Sequence, residues 1–307
     1  MHPLLVIVGP TGIGKTKLAV AIGGRFGGQV VSADSRQIYR RMDIGTAKPT
    51  PAEQAAVRHH LVDVVEPDAT LTLAEFQERA CAAIERIQAA GDLPMLVGGT
   101  GQWVRAVVEG WNIPRVPPDP ALRAELEAEA AARGVEALHA RLAAVDPAAA
   151  QRIDPRNVRR VIRALEVYHK TGVPISRQQK KSPPPYRILQ IGLTMPREAL
   201  YRRIDERIDR MMAQGLPEEV AALRAQGYGW DLPSMSGLGY RQFEGYFRGE
   251  LSLEEVAALI KRDTRRFIRQ QYNWFRLNDP RIHWFDVSEP FEEAVMAMVG
   301  RFVAESR

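Results

Sequence analysis

Eight residues, Gly9-Pro10-Thr11-Gly12-Ile13-Gly14-Lys15-Thr16, fit the pattern G-x-x-x-x-G-K-[ST]. Glycines at this spacing let backbone N–H groups turn inward around a di- or triphosphate. Lys15 adds a compact positive charge, and the Thr16 hydroxyl suits Mg²⁺ at the start of a helix. The pattern carries this meaning only between a strand and a helix. Leu4 to Val8 read as a buried parallel strand and Lys17 to Ile22 as the helix, so that context is present. The competing reading is a chance match in a glycine-rich turn, and the context weighs against it.

A carboxylate belongs near such a loop if it does more than bind. Gln29 to Ser32 read as a second strand running into Asp34-Ser35-Arg36-Gln37-Ile38-Tyr39. A parallel strand ending at Asp34 places that carboxylate on the ligand-binding edge of the sheet, as a general base or as the cap of a following turn. Pro94 to Val97 form another strand, followed by the turn Gly98-Gly99-Thr100-Gly101. A P-loop ATPase would carry an aspartate at this strand end to hold Mg²⁺ beside a triphosphate. Gly98 stands there instead, which points away from a motor or GTPase and towards group transfer of the small-kinase kind. Asp43 to Pro49 read as an ordered loop and Leu61 to Val65 as a third short strand. The adjacent His59-His60 would point to opposite faces of a strand, which favours a loop or strand edge over a metal pair.

The elements that must position these groups follow the same α/β pattern. Leu73 to Ala90 has helical spacing, with Cys81 packed as a small hydrophobe. Pro114, Pro117, Pro118 and Pro120 then mark an exit from the sheet. Ala121 to Ala144 reads as two helices joined near Gly134, and a third is predicted over 155–170. On that third helix Arg152, Arg156, Arg159, Arg160 and Arg163 would share one face, opposite Val158, Val161, Ile162 and Leu165. Like charges so spaced repel, so the stripe favours an anionic partner such as a phosphate backbone over a merely solvated face. Pro183 to Pro185 read as the return hinge and Arg187 to Met195 as a strand. The helix Leu200 to Gln214 carries Arg202, Arg203, Arg207 and Arg210; one could reach over the P-loop, while two or more are expected to pair with Asp205, Glu206 or Asp209. A long helix over 252–277, capped by Ser252 and Glu255, carries a second stripe of Arg262, Arg265, Arg266 and Arg269, with Phe267, Trp274 and Phe275 expected in the core. An edge strand over 281–286 and a helix over 289–303 close the chain. The expectation is therefore an α/β fold, a P-loop-containing three-layer parallel sheet with an inserted all-helical domain: 1–112 and 186–307 as the core, 113–185 as the insert.

Bulk properties agree. The 307 residues are 45% hydrophobic and 26% charged, with one cysteine and a formal net charge of +5. An internal disulfide is excluded, no apolar run approaches membrane-spanning length, and the first strand begins too early for a signal peptide, so a cytoplasmic protein is expected. The charge mildly favours a polyanionic partner.

Taken together, GPTGIGKT at 9–16, DSRQIYRRMDIGTAKP at 34–49, GGTG at 98–101, RALEVY at 163–168, GLGYRQ at 237–242 and TRRFIRQQYNWFR at 264–276 resemble the tRNA dimethylallyltransferase family, in its order and over nearly the whole chain. The resemblance implies transfer of a dimethylallyl group from dimethylallyl diphosphate to the N6 amine of the adenosine 3′ to the tRNA anticodon. Gly9 to Thr16 would then hold the leaving diphosphate. Lys15, Arg207 and Mg²⁺ on Thr16 would neutralise it, Asp34 would take the amine proton, and Thr100 would hold the base or a phosphate oxygen. The target base would be flipped out of the anticodon stem-loop into a channel. Contacts with tRNA are implied for Asp34, Ser35, Arg36, Gln37, Thr100, Arg123, Arg159, Arg160, Val161, Ile162, Arg163, Gly239, Tyr240 and Arg241; one tRNA per monomer needs no dimer, so a monomer is expected. Three departures stand out: Gly12-Ile13 in place of Ala-Ser, Gln102-Trp103 in place of Leu-Tyr, and Ser236 where Arg or Lys is expected. Adenylate isopentenyltransferase and a P-loop small-molecule kinase are the alternative enzymes, and a non-catalytic NTP-gated RNA-binding protein is the alternative outside catalysis.

Overall fold

The computed structural model describes residues 2–306, which form six strands and fourteen helices. The first half of the core runs β1 (His2–Val8), α1 (Lys15–Phe26), β2 (Gly28–Ser32), α2 (Pro51–Ala56), β3 (His59–His60), α3 (Leu73–Ala89), β4 (Leu93–Val97) and α4 (Gly101–Val108). The helical segment follows as α5 (Pro120–Arg133), α6 (Val135–Val145), α7 (Pro147–Arg152), α8 (Val158–Thr171) and α9 (Ile175–Gln178). The core then resumes with β5 (Tyr186–Thr194), α10 (Arg197–Ala213), α11 (Leu216–Ala225), α12 (Phe243–Phe247), α13 (Leu253–Trp274), β6 (Ile282–Asp286) and α14 (Glu292–Ala304).

All strand pairs are parallel, in the order β3-β2-β4-β1-β5-β6. The central β1 is buried from Leu4 to Val8, as a strand covered on both faces must be. From β1 the chain steps outward to β2 and β3, returns to β4, then crosses to β5. Right-handed crossovers running in opposite directions put their helices on opposite faces. Thus α1, with α14 beside it, and α3, with α4 beside it, each pack on β1, β2 and β4. The switch in direction falls at β1, whose carboxyl end leads into Gly9.

One expected strand is corrected. The segment over 61–65 does not join the sheet; β3 is His59–His60. Leu61 and Asp63 adopt left-handed backbone angles, φ 63° and 55°. The segment turns instead onto residues 37–40, with Asp63 N–H donating to Gln37 C=O and Val64 N–H to Ile38 C=O.

The chain forms two compact units, residues 109–184 and the remainder of the described residues. The smaller unit has its own apolar core, built on Leu126, Leu138, Leu142, Val161 and Ile162 among others. Its entry and exit segments are hydrogen-bonded to each other, Asn112 N–H to Lys180 C=O and Ser182 N–H to Gly110 C=O. Within it α8 starts at Val158, capped by Asn157, so Arg152 and Arg156 are not on that helix.

Candidate active site

The loop between β1 and α1 is shaped by α10. Gly12 has φ +78°, a left-handed backbone that favours glycine, and a Cβ there would lie 2.4 Å from Ile204 Cδ1, so a larger residue would need that side chain to move. Ile13, which follows, is a core residue. The departure from Ala-Ser is thus a matter of packing. Lys15 Nζ donates to the carbonyls of Gly9 (3.0 Å) and Pro10 (2.9 Å). Burial draws the Lys15 ammonium down to about 8; Asp34 opposes that shift and Arg207 adds to it.

The facing wall comes from the ends of β2 and β4. Asp34 Oδ1 accepts the Arg36 N–H at 2.9 Å, an Asx turn, while Oδ2 accepts no hydrogen bond among the described residues. Thr100 Oγ1 accepts the Ser35 N–H at 3.1 Å, tying the second turn to the Asp34 segment. A Cβ on Gly98 would lie 2.2 Å from Ala33 O, so no aspartate can stand at that strand end. Gln37 spans from Ser32 Oγ to the carbonyl of Ala47 (3.1 Å). Glu219 holds the 43–48 loop: its carboxylate accepts the N–H groups of Asp43, Ile44 and Gly45 and the Tyr240 hydroxyl.

Between the walls lies a cleft lined by the loop residues, by Asp34 and Gln37, and by Arg203, Arg207 and Arg210. Arg203 Nη2 lies 3.5 Å from the position a Gly14 Cβ would take, and Arg207 Nη1 lies 3.8 Å from that of Gly12, so both guanidinium groups overhang the loop. Burial, with Arg203 and Arg210 nearby, lowers the Arg207 pKa against the pull of Asp34. Two of the three carboxylates expected to pair with these arginines face α13 instead, Asp205 bonding Arg265 and Asp209 bonding Lys261, while Glu206 is exposed. A cluster of cations so arranged is costly until an anion enters. No group of three or more His, Cys, Asp or Glu able to hold a metal occurs among the described residues. The cleft offers the Thr16 hydroxyl. A single hard oxygen of this kind suits an ion such as Mg²⁺, which keeps waters and takes its remaining ligands from phosphate.

The profile of the IPP transferase family matches residues 37–278. The chain belongs to that family. This IPP transferase is 58% identical over 276 residues to the tRNA dimethylallyltransferase of Roseiflexus sp. (strain RS-1), covering 90% of each chain. It is 48% identical over 305 residues to that of Dehalococcoides mccartyi, covering 99% of this chain and 94% of the relative. The solved tRNA isopentenylpyrophosphate transferase of Bacillus halodurans is similar with TM-score 0.74 and 41% identity, over 100% of this chain and 98% of the other. A eukaryotic dimethylallyltransferase acting on tRNA, at 24% identity, shares the fold with TM-score 0.84, over 100% of this chain and 81% of its own.

In the IPP transferase the P-loop, Asp34 and Arg207 share one cleft, with Thr100 bonded to its wall. The expected tRNA-facing residues divide. Arg159 and Arg160 are exposed and have no carboxylate partner among the described residues. Val161 and Ile162, at 0% and 3% exposure, lie in the core of the smaller unit, and Tyr240 is buried against Glu219. The side chains of these three are buried, which leaves only their backbone for a contact with RNA. Arg123 and Arg163 both bond Glu166, whose side chain is 0% exposed and whose carboxyl is drawn to about 2 despite burial, by these arginines and the Asp119 N–H. Arg156 bonds Asp154. Much of the charge expected to await an external anion is thus answered within the protein. Arg36 donates to Pro233 C=O, and Arg241 bonds Asp263. Ser236 Oγ donates to Pro233 C=O. His59 and His60 bond Val57 C=O and Gln29 separately. Phe267 is exposed rather than in the core.

Sequence reasoning missed Arg203 and Arg210 as cleft residues, although their spacing from Arg207 places all three on one face of a helix. It also missed Glu219, which carries no local signal.

Proposed function

We propose that this IPP transferase moves a dimethylallyl group from dimethylallyl diphosphate to the N6 amine of the adenosine 3′ to the tRNA anticodon, releasing diphosphate. The observation that carries this reading is the cleft in which a P-loop overhung by Arg203 and Arg207 faces Asp34, while Gly98 excludes the carboxylate a triphosphatase would use.

The C1–O bond of the donor breaks and its electron pair leaves on the diphosphate. The N6 lone pair forms the C–N bond, and the N6 proton passes to Asp34. Adenine's amine is a weak nucleophile because its lone pair is delocalised into the ring, so loss of the proton as attack proceeds assists it. An allylic carbon tolerates developing positive charge, and stabilising the leaving group is the larger part of the work. Lys15, Arg203 and Arg207 do this electrostatically. Mg²⁺, held by Thr16, would supply further positive charge to the diphosphate. Thr100 supports the Asp34 segment on the base-facing side. Arg159 and Arg160, with Arg36 and Arg241, meet the phosphates of the anticodon stem-loop, and the target base leaves the stack to reach Asp34. One tRNA per protomer needs no dimer, so the enzyme is read as a monomer that acts on tRNA in the cytoplasm. No helix among the described residues is long and apolar enough to cross a membrane.

The test is incubation with Mg²⁺, dimethylallyl diphosphate and unmodified tRNA, then mass spectrometry of the nucleosides. Dimethylallyl adenosine from the position 3′ to the anticodon is expected; transfer to free adenylate with tRNA left unchanged would overturn the assignment of the acceptor.

A further inference from the structure

The inward face of α13 runs Val256, Ile260, Thr264, Ile268, Gln271, so it ends on a polar residue where the spacing calls for an apolar one. Gln271 is 4% exposed. Its Oε1 accepts the Thr11 N–H at 2.9 Å, and its Nε2 donates to Gly99 C=O at 3.1 Å. A backbone donor on one side and a backbone acceptor on the other fix the orientation of the amide. A Cβ on Gly99 would meet Nε2 at 2.4 Å, so this contact requires glycine there.

Thr11 belongs to the diphosphate loop. Gly99 precedes Thr100, whose hydroxyl accepts the Ser35 N–H beside Asp34. One buried side chain thus joins the half of the cleft that holds the donor to the half that holds the base. Burying an amide costs stability unless both ends are bonded, and an aliphatic residue would serve the core as well without that requirement.

We infer that Gln271 is a positioning residue for the transfer, setting the distance between the diphosphate loop and the base-facing turn. The inference rests on the proposed transfer. Each substrate binds mainly to its own half, so loss of the bridge leaves both affinities in place and lowers the rate at which the bound pair reacts. A misplacement of about 1 Å between reacting groups costs on the order of 100-fold.

The test uses the full chain as Gln271→Met, close in size and unable to hydrogen-bond; as Gly99→Ala, which displaces the same amide; and as the double variant. Single-turnover transfer to an anticodon stem-loop RNA is measured at saturating donor, with separate titrations of inorganic pyrophosphate and of the RNA. Wild-type transfer is measured first, and its absence would count against the proposed function itself. Given wild-type transfer, each single variant is expected to be roughly 10- to 100-fold slower, with both dissociation constants within about threefold of wild type. The double variant should be no slower than the slower single, because both changes break one bridge. Wild-type rates in folded single variants, losses confined to the dissociation constants, or rate losses that multiply in the double variant would each overturn the inference. If Gln271→Met does not fold, Gly99→Ala alone decides by the same rate and affinity measurements.

Discussion

Asp34 can serve as a base because its two oxygens have different tasks: Oδ1 is fixed by the Arg36 N–H, and Oδ2 accepts nothing among the described residues. Asp34→Asn keeps the turn and removes the base, so single-turnover transfer should fall by about 10²- to 10⁴-fold while the RNA dissociation constant holds. Unchanged transfer would assign the proton elsewhere. Lys15 gives a pH dependence of known sign. Its pKa is lowered from 10.5 to about 8, so the ammonium is present below pH 8 and fades above it. Pyrophosphate binding to the free enzyme should therefore weaken as pH rises through 8 and take up protons above it, visible in calorimetry as a heat that varies with buffer; Lys15→Met should abolish that uptake. At this scale the P-loop and Asp34 were legible from local pattern. The roles of the α10 arginines were not, because Asp205 and Asp209 looked like their partners by proximity in sequence and are taken by α13.

Two cleft-lining segments are held by elements remote in the chain, the 43–48 loop by Glu219 on α11 and the 98–101 turn by Gln271 on α13. Glu219→Ala would strand three backbone N–H groups of that loop and the Tyr240 hydroxyl. With only the Tyr240 hydroxyl buried and the Asp43 N–H open to water, the loss should be on the order of 1–3 kcal/mol, read as a lower melting temperature with faster amide exchange at Asp43 to Gly45. An unchanged exchange rate there would show that the loop is held by something else. Most elements could be read from periodicity and capping: β1 from its apolar run, α13 from Ser252 and Glu255, and the helices either side of Gly134 from composition. The strand expected at Leu61 to Val65 failed because alternation of apolar residues does not reveal left-handed angles at Leu61 and Asp63, which long-range pairing with residues 37–40 imposes. The arginine stripe failed in part for a similar reason. Helical spacing located Arg159, Arg160 and Arg163 on α8, yet could not show that buried Glu166 answers Arg163 together with Arg123.

At the scale of the molecule, the cleft and the two α8 arginines lie on different stretches of the chain: the sheet edge carries the cleft, and the 109–184 unit carries the exposed Arg159 and Arg160. If these two meet phosphates, Arg159→Gln and Arg160→Gln should each weaken tRNA binding and reduce the slope of log affinity against log salt by about 1, with pyrophosphate binding unaltered. An unchanged slope would place the phosphate contacts on other residues. The organisation also accounts for a nucleotide-type loop in an enzyme proposed to spend no nucleotide triphosphate: the loop grips a leaving group, and RNA supplies the nucleophile. The most direct measurement of that claim follows pyrophosphate and prenylated adenosine together in a single turnover, with Mg²⁺, dimethylallyl diphosphate and tRNA. One pyrophosphate per dimethylallyl adenosine, and none without tRNA, is the result predicted; pyrophosphate released without RNA modification, or a requirement for ATP, would contradict it.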